Sequence, residues 1–182
     1  MTQLPDIDQL LNKVKQLEHG NQLDLSSDED LSIAIMNLIS LEEHLFFSGA
    51  KTGNNQYYQL LKEVREMRKQ LLKKIVKEYE GEVWCVSKHL LSASMRLIEV
   101  GTKAQGKGDE SGAQEMFKKA YQLYSLFWGI NLGVVKTDDL PLEENDNLEV
   151  LTDQENTTSK KIGSVFDKLG ELVKKVVNCC KE

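Results

Sequence analysis

Residues 26–48 read SSDEDLSIAIMNLISLEEHLFFS, and this stretch decides the fold. Ser26 and Glu29 have the spacing of a capping box, which predicts that a helix begins here. Among the residues that follow, Asn37, Ser40, His44 and Ser48 form a narrow polar stripe, and most of the rest are apolar. A helix that is apolar on most sides is buried by its neighbours. The stretch therefore predicts an all-α fold with this helix at its centre.

Three further long helices follow this stretch. Hydrophobic periodicity and glycine- or asparagine-rich breaks place them at about 56–80, 81–104 and 110–131. Short polar loops place successive helices antiparallel, so we expect an up-down bundle of four long helices. A helical repeat array is the alternative, but only AYQLYSLF (120–127) resembles a repeat unit. Within 56–80 the spacing predicts that Leu60 and Met67 face inward.

A shorter helix is predicted near the N-terminus, over residues 5–19. Pro5 suits the first turn of a helix, and Gly20 suits its end. Its apolar residues share one face: Ile7, Leu10, Leu11, Val14 and Leu17. We expect this short helix to pack on the bundle.

The charges of the chain divide it into three parts. Residues 1–136 carry 17 basic and 18 acidic residues, whereas residues 137–158 carry eight acidic residues and no basic one. Residues 159–182 carry six lysines and three acidic residues. A near-neutral body has no general attraction for nucleic acid, so we predict no nucleic-acid partner.

Composition and periodicity predict three segments along the chain. Residues 1–131 form the helical bundle domain. Residues 132–158 lack periodicity and are rich in Asp, Glu, Asn and Thr, which is typical of a flexible acidic linker. Residues 159–182 form a tethered amphipathic C-terminal helix.

This C-terminal helix has the sharpest amphipathic pattern in the chain. Five apolar residues recur at intervals of three and four, and we predict that they bind a partner: Ile162, Phe166, Leu169, Val173 and Val176. So large an apolar face is unfavourable in water. We expect it to dock on its own bundle, on a second copy in a homo-oligomer, or on another protein, in the manner of a helix in a groove.

A membrane surface is an alternative partner for the same helix. Cys179 and Cys180 adjoin a lysine-rich face, and cysteines beside amphipathic helices are common sites of acylation. However, Asp167 and Glu171 dilute the positive charge, and the apolar side has no tryptophan. The pattern favours a protein groove over a membrane.

Residues on the predicted helix 81–104 form the main candidate for chemistry. Glu82, Cys85 and His89 share a face and are candidate metal ligands, with Arg96 further along that face. His89 with Arg96 is also compatible with ribonuclease-like acid/base catalysis. A closed zinc site needs four ligands and a di-iron bundle needs Glu-x-x-His motifs, which the chain lacks. We therefore predict no metal and no cofactor, and leave open whether His44 meets His89.

No catalytic signature stands out, so the sequence predicts a non-catalytic interaction or scaffold protein. A metal-binding or acid/base enzyme and a peripheral membrane protein are the alternatives. The N-terminus has no signal-peptide pattern, and no apolar run approaches the roughly 20 residues of a membrane span. Three cysteines, two of them adjacent, form no disulfide framework, which favours the cytoplasm.

Overall fold

The computed structural model describes residues 26–77, 81–135, 169–171 and 173. Within these ranges the chain is helical and has no strand, so the all-α prediction is confirmed. The predicted N-terminal helix lies outside the described residues. The long helices, numbered here in chain order, are α1 (Ser26–Thr52), α2 (Gln56–Ile75), α3 (Glu82–Gln105) and α4 (Glu110–Asn131).

α1 extends four residues beyond Ser48, the last residue of the stretch that predicted it. The helix continues through Gly49 to Thr52 and ends at Gly53, whose φ of 67° is the left-handed conformation that terminates helices. Gly49 is needed inside the helix because the Tyr58 ring lies over it. A Cβ atom at Gly49 would be 2.8 Å from Tyr58 Cζ.

The helices pair as two antiparallel hairpins. α1 packs against α2, α3 packs against α4, and α1 also contacts α3. Ser32 joins α1 to α4: its hydroxyl donates to the Glu29 carbonyl at 2.7 Å, and the Tyr124 hydroxyl lies 2.7 Å from Ser32 Oγ. Since the Ser32 proton is engaged, Tyr124 donates this second bond. Burial raises the pKa of the Tyr124 hydroxyl.

Small residues explain how closely α3 approaches α4. Ser87, Ser94 and Gly101 are spaced seven residues apart on α3, and all three are buried. The Ser94 hydroxyl donates to the backbone carbonyl of Ala120 on α4 at 2.9 Å, and Asn131 Nδ2 donates to Ser87 Oγ at 3.0 Å. A serine side chain reaches another helix's backbone only where the two helices lie close together. This packing was not predicted from the sequence.

The turn between α3 and α4 ends one helix and starts the next. Gly108 has a φ of 81°, and the amide of Asp109 donates to the Ala104 carbonyl at 3.0 Å, as in a Schellman cap. Asp109 then caps α4, because its Oδ1 accepts the Gly112 amide at 2.9 Å.

Replacing Asp109 by alanine is expected to lower the free energy of unfolding by about 1 kcal/mol, the usual effect of losing an N-cap. Ser111→Ala is the control, since Ser111 is an exposed residue of the same helical turn. Urea denaturation followed by circular dichroism measures both variants. Equal midpoints for the two would contradict the capping role.

The main apolar core lies where the start of α1, the end of α2, the start of α3 and the end of α4 meet. Its most buried members include Ile35, Leu72, Leu91 and Phe127. The cap that ends α4 adds to this core. Gly133 is left-handed, its amide donates to the Ile130 carbonyl and that of Val134 to the Gly129 carbonyl, and both Val134 and Val135 are buried. The predicted start of the linker at residue 132 therefore falls within the folded body.

α1 is more apolar than the sequence analysis allowed. Its Ser27–Thr52 segment, with a mean hydropathy of 1.2, is long and apolar enough to cross a membrane by length and composition. The core helix of a bundle meets the same criterion when it is mostly buried, but only 28% of this window is buried within the described residues. The expected central position of α1 is therefore wrong, and its Ile33, Phe46 and Phe47 side chains are exposed. Near its middle, Glu42 pairs with Arg68 of α2.

Candidate functional site

Two of the five predicted partner-binding residues lie in the core of the same chain. Leu169 and Val173 are 1% and 2% exposed, and both belong to the main apolar core. Ile162, Phe166 and Val176 lie outside the described residues. For the two that can be placed, burial is supplied by the chain's own helices.

Leu169 and Gly170 contact one face of α4, formed by Tyr121, Ser125 and Gly129, which we call the α4 docking face. These residues are spaced four apart and therefore line one side of the helix. A Cβ atom at Gly129 would lie 2.9 Å from Leu169 Cδ2, so the absence of a side chain there creates the space that leucine fills.

Gly170 provides the polar contact of this site. The Tyr121 hydroxyl donates to the Gly170 carbonyl at 3.0 Å. A Cβ atom at Gly170 would lie 3.2 Å from Tyr121 Cε1, so a larger residue would push the ring away. Two glycines, one on each side of the contact, thus allow close approach, and one hydrogen bond fixes the register.

Both ends of the segment 136–168 reach this same point. A Cβ atom at Gly129 would lie 3.3 Å from Val135 Cγ2, as well as within contact of Leu169. Val135 and Leu169, the described residues on either side of 136–168, are therefore neighbours beside the same glycine.

Most buried polar side-chain atoms around the site have a hydrogen-bond partner. Ser125 Oγ donates to the Tyr121 carbonyl at 2.8 Å. Trp128 is the exception within the described residues, because its buried indole N–H lies near the Tyr124 hydroxyl without reaching hydrogen-bonding geometry. Tyr124, Phe127 and Trp128 pack edge to face or stacked, with ring centroids 5.1–6.3 Å apart.

The candidate metal ligands lie on the solvent side of α3. Glu82, Cys85 and His89 are all exposed. Among the residues that the structure describes, no three His, Cys, Asp or Glu side chains are grouped closely enough to hold a metal ion. His44, on α1, is exposed as well.

Arg96, the other acid/base candidate, is engaged by carboxylates. It donates to Glu99 at 2.8 Å and also to Glu43 of α1. All three side chains are exposed by more than a third, so these ion pairs contribute little to stability. They do mark where α1 passes α3.

A second charged cluster is buried between α1 and α2. Glu42 accepts from Arg68 Nε at 2.8 Å and from Arg65 Nε at 3.0 Å, and Arg68 Nη2 adds a third contact at 3.3 Å. Burial would raise the pKa of Glu42, but the hydrogen bonds from Arg68 and Arg65 outweigh it and hold the pKa below its ordinary value. Both acceptor oxygens are occupied, which indicates a structural role.

The receiving face was missed by sequence reasoning. Gly129 lies among aromatic residues in α4, and its spacing of four from Ser125 is the only signal that small residues line one side. The amphipathic pattern of residues 159–182 identified what is buried, but it carries no information on where. No protein-family model matches this chain, and neither a curated protein nor a solved structure matches it significantly.

Proposed function

We propose that this chain is a non-catalytic, cytoplasmic interaction protein whose C-terminal amphipathic helix docks in cis on the α4 docking face. The body would be an up-down bundle of four long helices, and residues 136–168 would tether the helix to it. The observation that carries the proposal is the burial of Leu169 and Val173 in the core, with Tyr121 bonded to Gly170. Release of the helix would expose two complementary surfaces, the apolar helix and the α4 docking face.

Geometry favours docking in cis over exchange between copies. The residues that flank the tether, Val135 and Leu169, both lie beside Gly129, so the distance that the tether has to span is short. A flexible tether of this length has a typical end-to-end distance of about 30 Å and keeps the helix at an effective concentration in the millimolar range. At micromolar protein, a second copy competes poorly with the chain's own helix.

The α4 docking face is expected to bind a free helix only when the chain's own helix is displaced. A fluorescent peptide of residues 159–182 should bind the Leu169→Asp/Val173→Asp variant at least about tenfold more tightly than the unaltered chain, because an occupied site lowers apparent affinity. Fluorescence anisotropy measures both. Adding Gly129→Leu should abolish binding, since a side chain there occupies the space of Leu169.

Three results would contradict this proposal. The first is that the peptide binds neither the unaltered chain nor the Leu169→Asp/Val173→Asp variant. The second is that it binds this variant equally well with and without Gly129→Leu. Light scattering provides the third, because a dimer that becomes a monomer on Leu169→Asp/Val173→Asp substitution would show docking in trans. A matched peptide carrying Leu169→Asp is the control for non-specific binding.

A further inference from the structure

An apolar surface remains on the face of the α1–α2 hairpin that is opposite to α3 and α4. It consists of Leu41 on α1 with Leu60 and Met67 on α2, which are 41%, 48% and 54% exposed. Two half-buried residues adjoin them, Leu38 and Val64. We call these five residues the outer face.

The directions of the next two residues, Glu42 and Glu43, place Leu41 on the outer face. Glu43 of α1 contacts Arg96 of α3, and Glu42 contacts Arg68 of α2. Each residue of a helix is rotated by about 100° from the one before it. Leu41, one step further round, therefore points away from α3.

The same reasoning places Met67 beside Leu41. Arg68 points at Glu42, and the Tyr58–Gly49 contact shows that α2 runs antiparallel to α1. When two antiparallel helices have one residue each facing the other, the residue just before each of these points to the same side of the pair. Met67 and Leu41 thus lie on the same side of the hairpin and at the same level, and we call the depression between the two helices there the groove.

We infer that the N-terminal segment, residues 5–19, occupies this groove by folding back along α1. Only six residues separate it from α1, and its five apolar residues at helical spacing, Ile7 to Leu17, match an apolar groove. As a helix its 15 residues would measure about 22 Å, and the rise along α1 from Ser26 to Leu41 is also about 22 Å. The six residues 20–25 are sufficient for the reversal, since they span up to about 20 Å.

The charges in this arrangement are mixed, because folding back would bring Lys13 and Lys15, but also Glu18, near Asp28 and Asp30 at the start of α1. The burial of α1 supports the arrangement, because only 28% of its most apolar window is buried within the described structure. The inference does not depend on the docking of the C-terminal helix.

Cysteine labelling in the full-length chain tests it. Met67→Cys places a thiol beside the groove. Lys62→Cys places one at an exposed position about 140° further round α2, where both side chains line the same shallow concavity but Lys62 is turned away from Leu41. Mass spectrometry quantifies each site, with Cys85 as an exposed internal reference. We expect Met67→Cys to react about tenfold more slowly than Lys62→Cys at every protein concentration, because reaction requires local opening. Adding Leu10→Asp and Val14→Asp should remove the difference.

Equal rates at the two sites would overturn the inference, and this comparison needs no change in the N-terminal segment. Slow labelling of Met67→Cys that persists with Leu10→Asp and Val14→Asp in a chain of unchanged helix content would also overturn it. Protection that appears only as the protein concentration rises would assign the groove to a second copy instead.

Discussion

Replacing Gly101 by leucine is expected to lower the free energy of unfolding by about 2–3 kcal/mol, the upper range for overpacking a core. A Cβ atom at this position would lie 2.6 Å from Phe117 Cε1 and 3.2 Å from the Ala113 carbonyl oxygen. The ring can turn, but the carbonyl belongs to the backbone of α4. A leucine would therefore push the two helices apart.

Two opposing effects decide the size of this result. Leucine forms helix more readily than glycine by about 0.8 kcal/mol, which favours the variant. Separation of α3 from α4 would weaken the Ser94 bond to the Ala120 carbonyl and loosen the buried contacts along the whole interface. The packing loss is larger because this is the most extensive helix pair within the described residues.

Gly106→Leu is the matched control, because it makes the same change five residues later, at the C-cap of the same helix. A Cβ atom at Gly106 meets nothing closer than 3.5 Å, and the residue has a helical φ of −62°. Its unfolding free energy should stay within about 0.5 kcal/mol of the unaltered chain. Urea denaturation measures both, and a Gly101→Leu midpoint equal to that of Gly106→Leu would refute close packing. Phe117→Ala combined with Gly101→Leu should recover part of the loss if the ring is the main obstacle.

Local signals in the sequence predicted α3 and α4 almost to the residue. Asp109 and the glycines around it encode the turn, because N-caps and left-handed glycines depend on neighbours in the chain. The seven-residue spacing of Ser87, Ser94 and Gly101 carried equally useful information about close packing. It was missed because periodicity was sought among large apolar residues, and small residues leave no hydrophobic signal.

The inward face of α2 was partly mispredicted. Leu60 and Met67, expected inside, are exposed within the described structure, whereas Arg68 is buried. An isolated arginine belongs in water, so periodicity alone places it outside. Its burial depends on Glu42, a residue of another helix, and such pairing between helices is not visible in a local pattern.

The candidate site was also predictable only in part from local sequence patterns. The apolar stripe of residues 159–182 is a local property of the sequence, and two of its five predicted residues, Leu169 and Val173, are buried. The α4 docking face depends on the missing side chain of Gly129 and on the Tyr121 hydroxyl, which gain meaning only when the segments meet. Sequence therefore predicts which surfaces require a partner better than it predicts which surface provides one.

Replacing Arg68 by methionine is expected to cause the largest loss of stability, about 3–5 kcal/mol, the usual effect of removing one partner of a buried ion pair. Arg68 and Glu42 are 5% and 8% exposed. Without Arg68, the carboxylate keeps only Arg65, whose side chain is half in solvent. Methionine preserves most of the buried volume, so the loss reports the unpaired charge and not a cavity.

Lys69→Met is the matched control in the next position of α2. Lys69 pairs with Glu66 at 2.9 Å, but both side chains are about half exposed, so the change should be within about 0.5 kcal/mol. The double variant Glu42→Gln/Arg68→Met should recover part of the loss, because a neutral amide is less costly to bury than a carboxylate. Equal unfolding free energies for Arg68→Met and Lys69→Met would show that the buried pair contributes nothing.

The free energy of unfolding of the unaltered chain should depend on pH because of the same Glu42–Arg68 pair. The pKa of Glu42 in the folded protein is below its ordinary value of 4.5, so the unfolded chain takes up the proton more readily. The stabilisation is therefore fully present above about pH 4.5, and it is lost as the pH falls through the folded pKa. Unfolding free energies of the unaltered chain and of Glu42→Gln, measured from neutral pH downward, should converge in acid. A constant difference between them would mean that ionised Glu42 is not what Arg68 stabilises, and that the two residues matter only for the space they fill.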